Sequence, residues 1–80
     1  MTATLAEVKK ALGIEGSYQD AAVQTYFDEV VSFLRNAGVP DSAITSGIVS
    51  IGVSDLWRNV SGEHKLSQYF IQRAAQLALR

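Results

Sequence analysis

A run of thirteen uncharged residues, 42–54, constrains this chain more than any other feature. Charged residues make up 19% of the protein as a whole, so a gap of this length marks an interior segment. Read as a helix over residues 41–60, with Asp41 or Ser42 as N-cap, the segment carries two apolar stripes. Ile44, Ile48 and Ile51 form one; Val49, Val53, Leu56 and Val60 form the other, about a third of a turn away. A helix that is apolar on two sides has neighbours on two sides. In a chain of 80 residues that predicts a central helix gripped by flanking helices, by another subunit, or by both. Local preferences compete with this reading. Ile, Val and Thr favour strands, two glycines weaken a helix, and residues 49–53 alternate like a strand. The helical spacing covers more of the segment, and no other segment alternates to supply a partner strand. On the helical reading Gly47 and Gly52 are places where another backbone comes close.

The flanking segments read as three more helices. Thr4 and Glu7 have the spacing of a capping box; Leu5, Val8 and Leu12 then share one face, Lys9 and Lys10 point outward, and Gly13 ends the helix. A longer helix begins near Ser17 or Tyr18 and runs to about Ala37. Its apolar face is Val23, Phe27, Val30, Val31 and Leu34, and its polar arc includes Asp28 and Glu29. Tyr26 and Phe33, seven apart, edge the apolar arc, either as core or as contacts to a neighbouring subunit. Gly38 ends this helix, and Val39-Pro40 sets an extended link. After a polar loop over residues 62–65, Ser67 caps a last helix to about Leu79. Leu66, Phe70, Ala74 and Leu77 line its face, Ile71 and Ala78 lie beside it, and Gln68, Gln72 and Gln76 form a polar stripe. The expected fold is therefore all-α, a single domain built as a small bundle of four helices: a short first, a long second, an apolar central third and a C-terminal fourth.

Composition narrows the function. With no cysteine and one histidine, neither a disulfide staple nor a thiolate metal site is available, and no carboxylate cluster replaces them. The net charge of −1 argues against a general nucleic-acid binder. Its distribution is uneven: residues 1–57 hold three basic and seven acidic residues, −4, and residues 58–80 hold four basic and one acidic, +3. Such a split either serves head-to-tail or side-to-side association or arises by chance at this chain length. No run of about 18 apolar residues crosses a membrane, and no signal-peptide pattern opens the chain. The carboxylates are spread singly, no phosphate-loop glycine pattern occurs, and His64 sits in a polar loop, so the expectation is not an enzyme, with no cofactor. Asn59-Val60-Ser61 matches a glycosylation acceptor and is read as chance. A helix-turn-helix would need polar and basic residues on the helix after Pro40, and that helix is uncharged to Ser54.

A few residues stand out as candidates for a subunit or partner interface. Asp55 continues the Ile44/Ile48/Ile51 stripe, and a carboxylate there must reach solvent or find a partner. Arg58 and Arg73 are the candidates, in an internal salt bridge to the last helix or in an ion pair across a subunit boundary. Trp57 points away from both stripes, either as a partner anchor or as cover for the last helix. With Tyr26 and Phe33 these make the candidate set.

The sequence resembles the small head–tail connector, or adaptor, proteins of tailed double-stranded DNA bacteriophages and prophages. The likeness lies in the opening pattern Leu5-x-x-Val8-Lys9-x-x-Leu12-Gly13-Ile14, the acidic amphipathic helix over residues 20–37, the close of the apolar helix on Asp55-Leu56-Trp57, and a Gly62 loop leading into Leu66-Ser67-x-x-Phe70 and Gln76-Leu77. The resemblance implies a structural subunit of a ring, commonly of about a dozen copies, that joins the portal at the capsid vertex to stopper or tail-completion proteins and surrounds the DNA channel. It implies a place in the virion neck, and in the bacterial cytoplasm during assembly, with subunits that can stay monomeric until a portal templates them. On this reading the acidic second helix would line the channel and let DNA slide. The rival expectations are a small helical protein-binding adaptor or regulator acting as monomer or dimer, and a DNA-binding regulator.

Overall fold

The computed structural model of the protein describes residues 1–57 and 65–79, and all their regular structure is helical. Four α-helices follow one another: α1 (Leu5–Leu12), α2 (Asp20–Asn36), α3 (Ser46–Trp57) and α4 (Gln68–Ala78), with a single 3-10 turn, Asp41–Ala43, between α2 and α3. The all-α expectation is met. Arg58, His64, the Asn59-Val60-Ser61 acceptor, the expected extension of the third helix to Val60 and most of the 62–65 loop lie outside the described residues.

Local chemistry sets most helix ends. Thr4 is extended, and its hydroxyl oxygen accepts from the Glu7 N–H at 3.2 Å, starting α1. The Glu7 carboxylate accepts from the Thr4 hydroxyl and, at 2.8 Å, from Ser46, so the same cap also ties α1 to the first turn of α3. At the other end Gly13, with φ of 74°, lets its own N–H reach the Lys10 carbonyl and the Ile14 N–H reach that of Lys9. The Gly38 turn after α2 repeats the pattern. Gly38 has φ of 90°, its N–H bonds Arg35, and the N–H of buried Val39 bonds the carbonyl of buried Leu34. Both are Schellman closures, which also turn an apolar residue back onto the helix just ended.

Three expectations are corrected. The third helix does not begin at Asp41 or Ser42 but at Ser46. The chain leaves Pro40 through one 3-10 turn, closed by Ala43 N–H to Pro40 and Ile44 N–H to Asp41, and Ile44 itself adopts φ −86°, ψ 87°. That break carries Ile44 into the core, fully buried, and frees its carbonyl for the Thr2 N–H at 3.2 Å; the α-helical ladder then opens with Val49 N–H to the Thr45 carbonyl. The second helix starts at Asp20, not Ser17 or Tyr18. Residues 16–19 are spent in a turn, with Gly16 at φ 78° and the Asp20 N–H bonded to the Ser17 carbonyl. Lys9 does not point outward. Its ammonium folds over this turn, donating to the Gly16 carbonyl at 2.5 Å and pairing with Asp20 at 2.6 Å, and its side chain is only 17% exposed. Asp20 is in the first turn of α2, where a carboxylate also complements the helix dipole.

α3 touches α1, α2 and α4, and so is the central helix anticipated from its two apolar sides. Ile48, Val49, Val53 and Leu56 are buried by neighbours in the same chain, together with Val8, Val23, Phe27, Val30, Leu34, Phe70 and Ala74. Gly52 is where this packing is tightest. A β-carbon there would lie 2.7 Å from Phe70 Cε1 and 2.7 Å from Val30 Cγ1, so α4 and α2 both fill the notch that glycine leaves. The close approach is by side chains and not by a backbone. Gly47, the other candidate, faces open space, with only Thr45 Oγ1 at 3.8 Å. The described part of the molecule measures 37 × 28 × 17 Å.

Candidate functional site

α4 returns antiparallel to α3, and its start is fixed by Asp55. The Asp55 carboxylate accepts from the Ser67 N–H at 3.0 Å and from the Ser67 hydroxyl at 2.7 Å. The same hydroxyl oxygen accepts from the Phe70 N–H at 3.2 Å, which is the N-cap bond of α4. One carboxylate in the last turn of α3 thus orients the side chain that caps α4. This is the fixing of the fourth helix against the third that the position of Asp55 suggested, made by hydrogen bonds to a cap in place of a salt bridge to Arg73.

The aromatic candidates are taken up by packing within the protomer. Tyr26 and Trp57 meet edge to face, centroids 5.8 Å apart and planes at 81°, and both are half-buried against the core. Phe33 meets Phe70, also at 5.8 Å, with the rings tilted by 50°. These two contacts zip the edge of α2 to the end of α3 and to α4. Such pairs contribute about 0.5–1.5 kcal/mol beyond the area they bury. Phe33 keeps 36% of its surface exposed, so it is both a packing residue and part of the outer surface.

Arg73 stands apart from the other candidates. It is half-buried, and its Nη1 donates to the neutral Gln76 Oε1 at 2.7 Å; no carboxylate pairs with it among the described residues. It lines a groove of about 410 Å³ between α3 and α4. Gly47, Ile48 and Ile51 form one wall, Tyr69, Arg73 and Leu77 the other, and the 3-10 turn closes one end. Tyr69 is 58% exposed, and Ile71, on the outer side of α4, is 42% exposed. The groove was not foreseen. Tyr69, Arg73 and Leu77 do lie at i, i+4 and i+8, so a second face on α4 was available from spacing alone.

The remaining charges are engaged elsewhere or solvated. Asp41 pairs with the amino group of Met1 and, at 3.3 Å, with Arg35. Hydrogen bonding to that ammonium first, and to Arg35 second, holds the Asp41 carboxyl below its ordinary value. Asp28 and Glu29 are exposed on α2; Asp28 accepts from Gln24 Nε2 at 2.7 Å, and neither is within ion-pair distance of a cation among the described residues. No group of three or more metal-ligating side chains converges among the described residues, and none of the described helices is long and apolar enough to cross a membrane. Of the six interface candidates, then, Tyr26 and Trp57 come together, Phe33 and Asp55 each join α4 to the body, Arg73 faces the groove, and Arg58 is outside the described residues. Comparison with protein-family models, with curated proteins and with solved structures gives no match.

Proposed function

We propose that the protein is a structural virion-assembly subunit, one member of a ring that joins the portal at the capsid vertex to stopper or tail-completion proteins around the DNA channel. Its place is then the virion neck, reached from the bacterial cytoplasm during assembly. The reading starts from the resemblance carried by the opening helix, the Asp55-Leu56-Trp57 close and the Leu66-Ser67-x-x-Phe70 entry to α4. The structural observation that favours a partner-binding role is the groove between α3 and α4. It is open and partly apolar, and it holds a half-buried arginine whose charge meets no carboxylate among the described residues. Interfaces are enriched in arginine and in aromatic anchors, here Tyr69 beside Arg73.

The test is binding to a portal ring encoded in the same gene cluster. The protein and the purified portal are mixed, separated by sedimentation, and the heavy fraction is imaged by electron microscopy. The expected result is co-sedimentation with a new ring of density on one end of the portal. A protein that remains wholly in the light fraction, folded and at saturating concentration, sinks the connector reading and leaves the small protein-binding adaptor.

A further inference from the structure

We infer that the α3–α4 groove receives the acidic face of α2 from a second copy of this chain, in a head-to-tail contact that sets Asp28 and Glu29 against Arg73. This deepens, and rests on, the reading of the protein as a ring subunit.

Charge complementarity carries the argument. Arg73 sits in a groove whose walls are otherwise apolar or neutral, and among the described residues its guanidinium is bonded only to an amide oxygen. Asp28 and Glu29 are exposed on adjacent positions of α2 with no cation in ion-pair range among the described residues. The cation nearer the end of that helix, Arg35, is already paired with Asp41. Within one protomer the two sets do not meet. Gly47 and Ile51, which open into the groove, lie across α3 from the buried Val49 and Leu56, while Asp28 and Glu29 lie on the solvent side of α2. Two complementary patches on different faces make a heterologous contact, which closes into rings or runs on as filaments, whereas a two-fold dimer needs a self-complementary patch. The sizes agree as well. The groove follows α4 from Tyr69 to Leu77, about 12 Å at the helical rise, and the α2 segment from Thr25 to Ser32, about 10.5 Å, fits within that length. A second copy is also a physically favourable occupant, because a chain this small buries only about 60% of its unfolded surface and gains from association. This contact assigns Asp28 and Glu29 to the subunit boundary and not to the wall of the channel.

Because the chain has no cysteine, introduced thiols report the contact cleanly. Gly47→Cys marks the groove at a position where a β-carbon meets open space. Thr25→Cys and Ser32→Cys, each in a separate protein, mark α2 on either side of the acidic pair. The Gly47→Cys protein is mixed with each α2 variant at millimolar concentration without portal, under mild oxidation, and mixed disulfide dimers are counted against a Lys10→Cys control. The expected result is a mixed dimer at one α2 position well above control. Adding Arg73→Glu to the groove chain should lower its yield by roughly tenfold, the scale of a reversed charge pair at an interface, and adding Asp28→Lys and Glu29→Lys to the other chain should restore it. High salt should weaken the wild-type pairing. Yields at control level for both α2 positions, with portal and without it, or trapping that ignores Arg73→Glu, overturn the inference. Trapping that appears only once portal is added still sets α2 of one copy in the groove of another and supports the inference, with the contact templated by portal. Portal binding and trapping are scored separately: a protein that binds portal without trapping refutes the groove contact alone, and one that traps without binding portal refutes the connector reading alone.

Discussion

Gly52→Ala should destabilise the protein although it places a better helix former in the middle of a helix. In an open helical position the change would gain about 1 kcal/mol from propensity. At Gly52 the new methyl lies 2.7 Å from Phe70 Cε1 and 2.7 Å from Val30 Cγ1. Carbon–carbon contacts are most favourable at about 3.5–4.0 Å, so each approach is short by about 1 Å. Neither obstacle can swing into solvent, because Val30 and Phe70 are both fully buried and belong to different helices. Overpacking of this kind costs about 1–3 kcal/mol, and two immovable contacts belong to the upper half of that range. Set against the propensity gain, the net loss is about 1–2 kcal/mol, which for a domain of this size lowers Tm by roughly 5–15 °C. Thermal and urea unfolding followed by circular dichroism measure it. Gly47→Ala is the internal control: its methyl meets open space, so it should leave stability unchanged or raise it by a few tenths of a kcal/mol up to about 1 kcal/mol. Adding Val30→Ala to Gly52→Ala should recover part of the loss, giving a coupling energy that distant sites do not show. If Gly52→Ala stabilises the protein as much as Gly47→Ala does, the notch does not exist and the packing of α2 and α4 on α3 is wrong.

Other perturbations test the remaining joints. Ser67→Ala removes the α4 cap and one of the two donors to Asp55 and should cost about 1–2 kcal/mol in urea unfolding; Asp55→Ala should cost less on that background than alone, because only its bond from the backbone N–H of residue 67 then remains to be lost. Lys9→Met keeps the apolar stem but removes the ammonium over the α1–α2 turn, and should cost about 1–2 kcal/mol as a charge-assisted hydrogen bond is lost, with faster amide exchange at residues 16–20. Asp41 has a folded value held below its ordinary 3.8. Its pairing therefore contributes stability that is complete above that ordinary value and is lost as pH falls through the lower folded one. Asp41→Asn should flatten that acid-side part of a stability–pH curve and lose a little stability at neutral pH, the effect being small because the group is exposed.

Periodicity and caps were sufficient to place four helices, and tertiary register was what they lacked. The stripe Val23, Phe27, Val30, Val31, Leu34 and the signals at Thr4, Gly13, Gly38 and Ser67 are local, and each occurs in the structure as the spacing implied. Ile44 misled because it falls on a helical stripe by spacing, yet it reaches the core from a non-helical backbone; an apolar residue adjoining a helix satisfies the pattern without being part of it. Lys9 misled for the opposite reason. Its position on the wheel is outward, but a long side chain can fold across a turn whose path depends on Gly16 and Asp20. Asp55 and Ser67 were each noticed, one as a misplaced carboxylate and one as a cap. Linking them needs the antiparallel register of α3 and α4, which neither segment encodes alone. The groove is hidden in the sequence because its α4 stripe, Tyr69, Arg73 and Leu77, mixes one charge with two apolar bodies beside the larger apolar face of the same helix.

The shared notch at Gly52 also bears on how the molecule comes apart. Phe70 and Val30 fill one recess from two helices, so withdrawal of α4 would leave Val30 beside a void and the cap at Ser67 without its carboxylate partner. The C-terminal helix is therefore not an appendage that can fray while the rest stays native; its opening removes contacts on which α2 and α3 depend. The amides of α3 between Val49 and Leu56 should consequently exchange with solvent deuterium only through global unfolding, and those of α4 near Phe70 and Ala74 at close to the same free energy, as one cooperative unit.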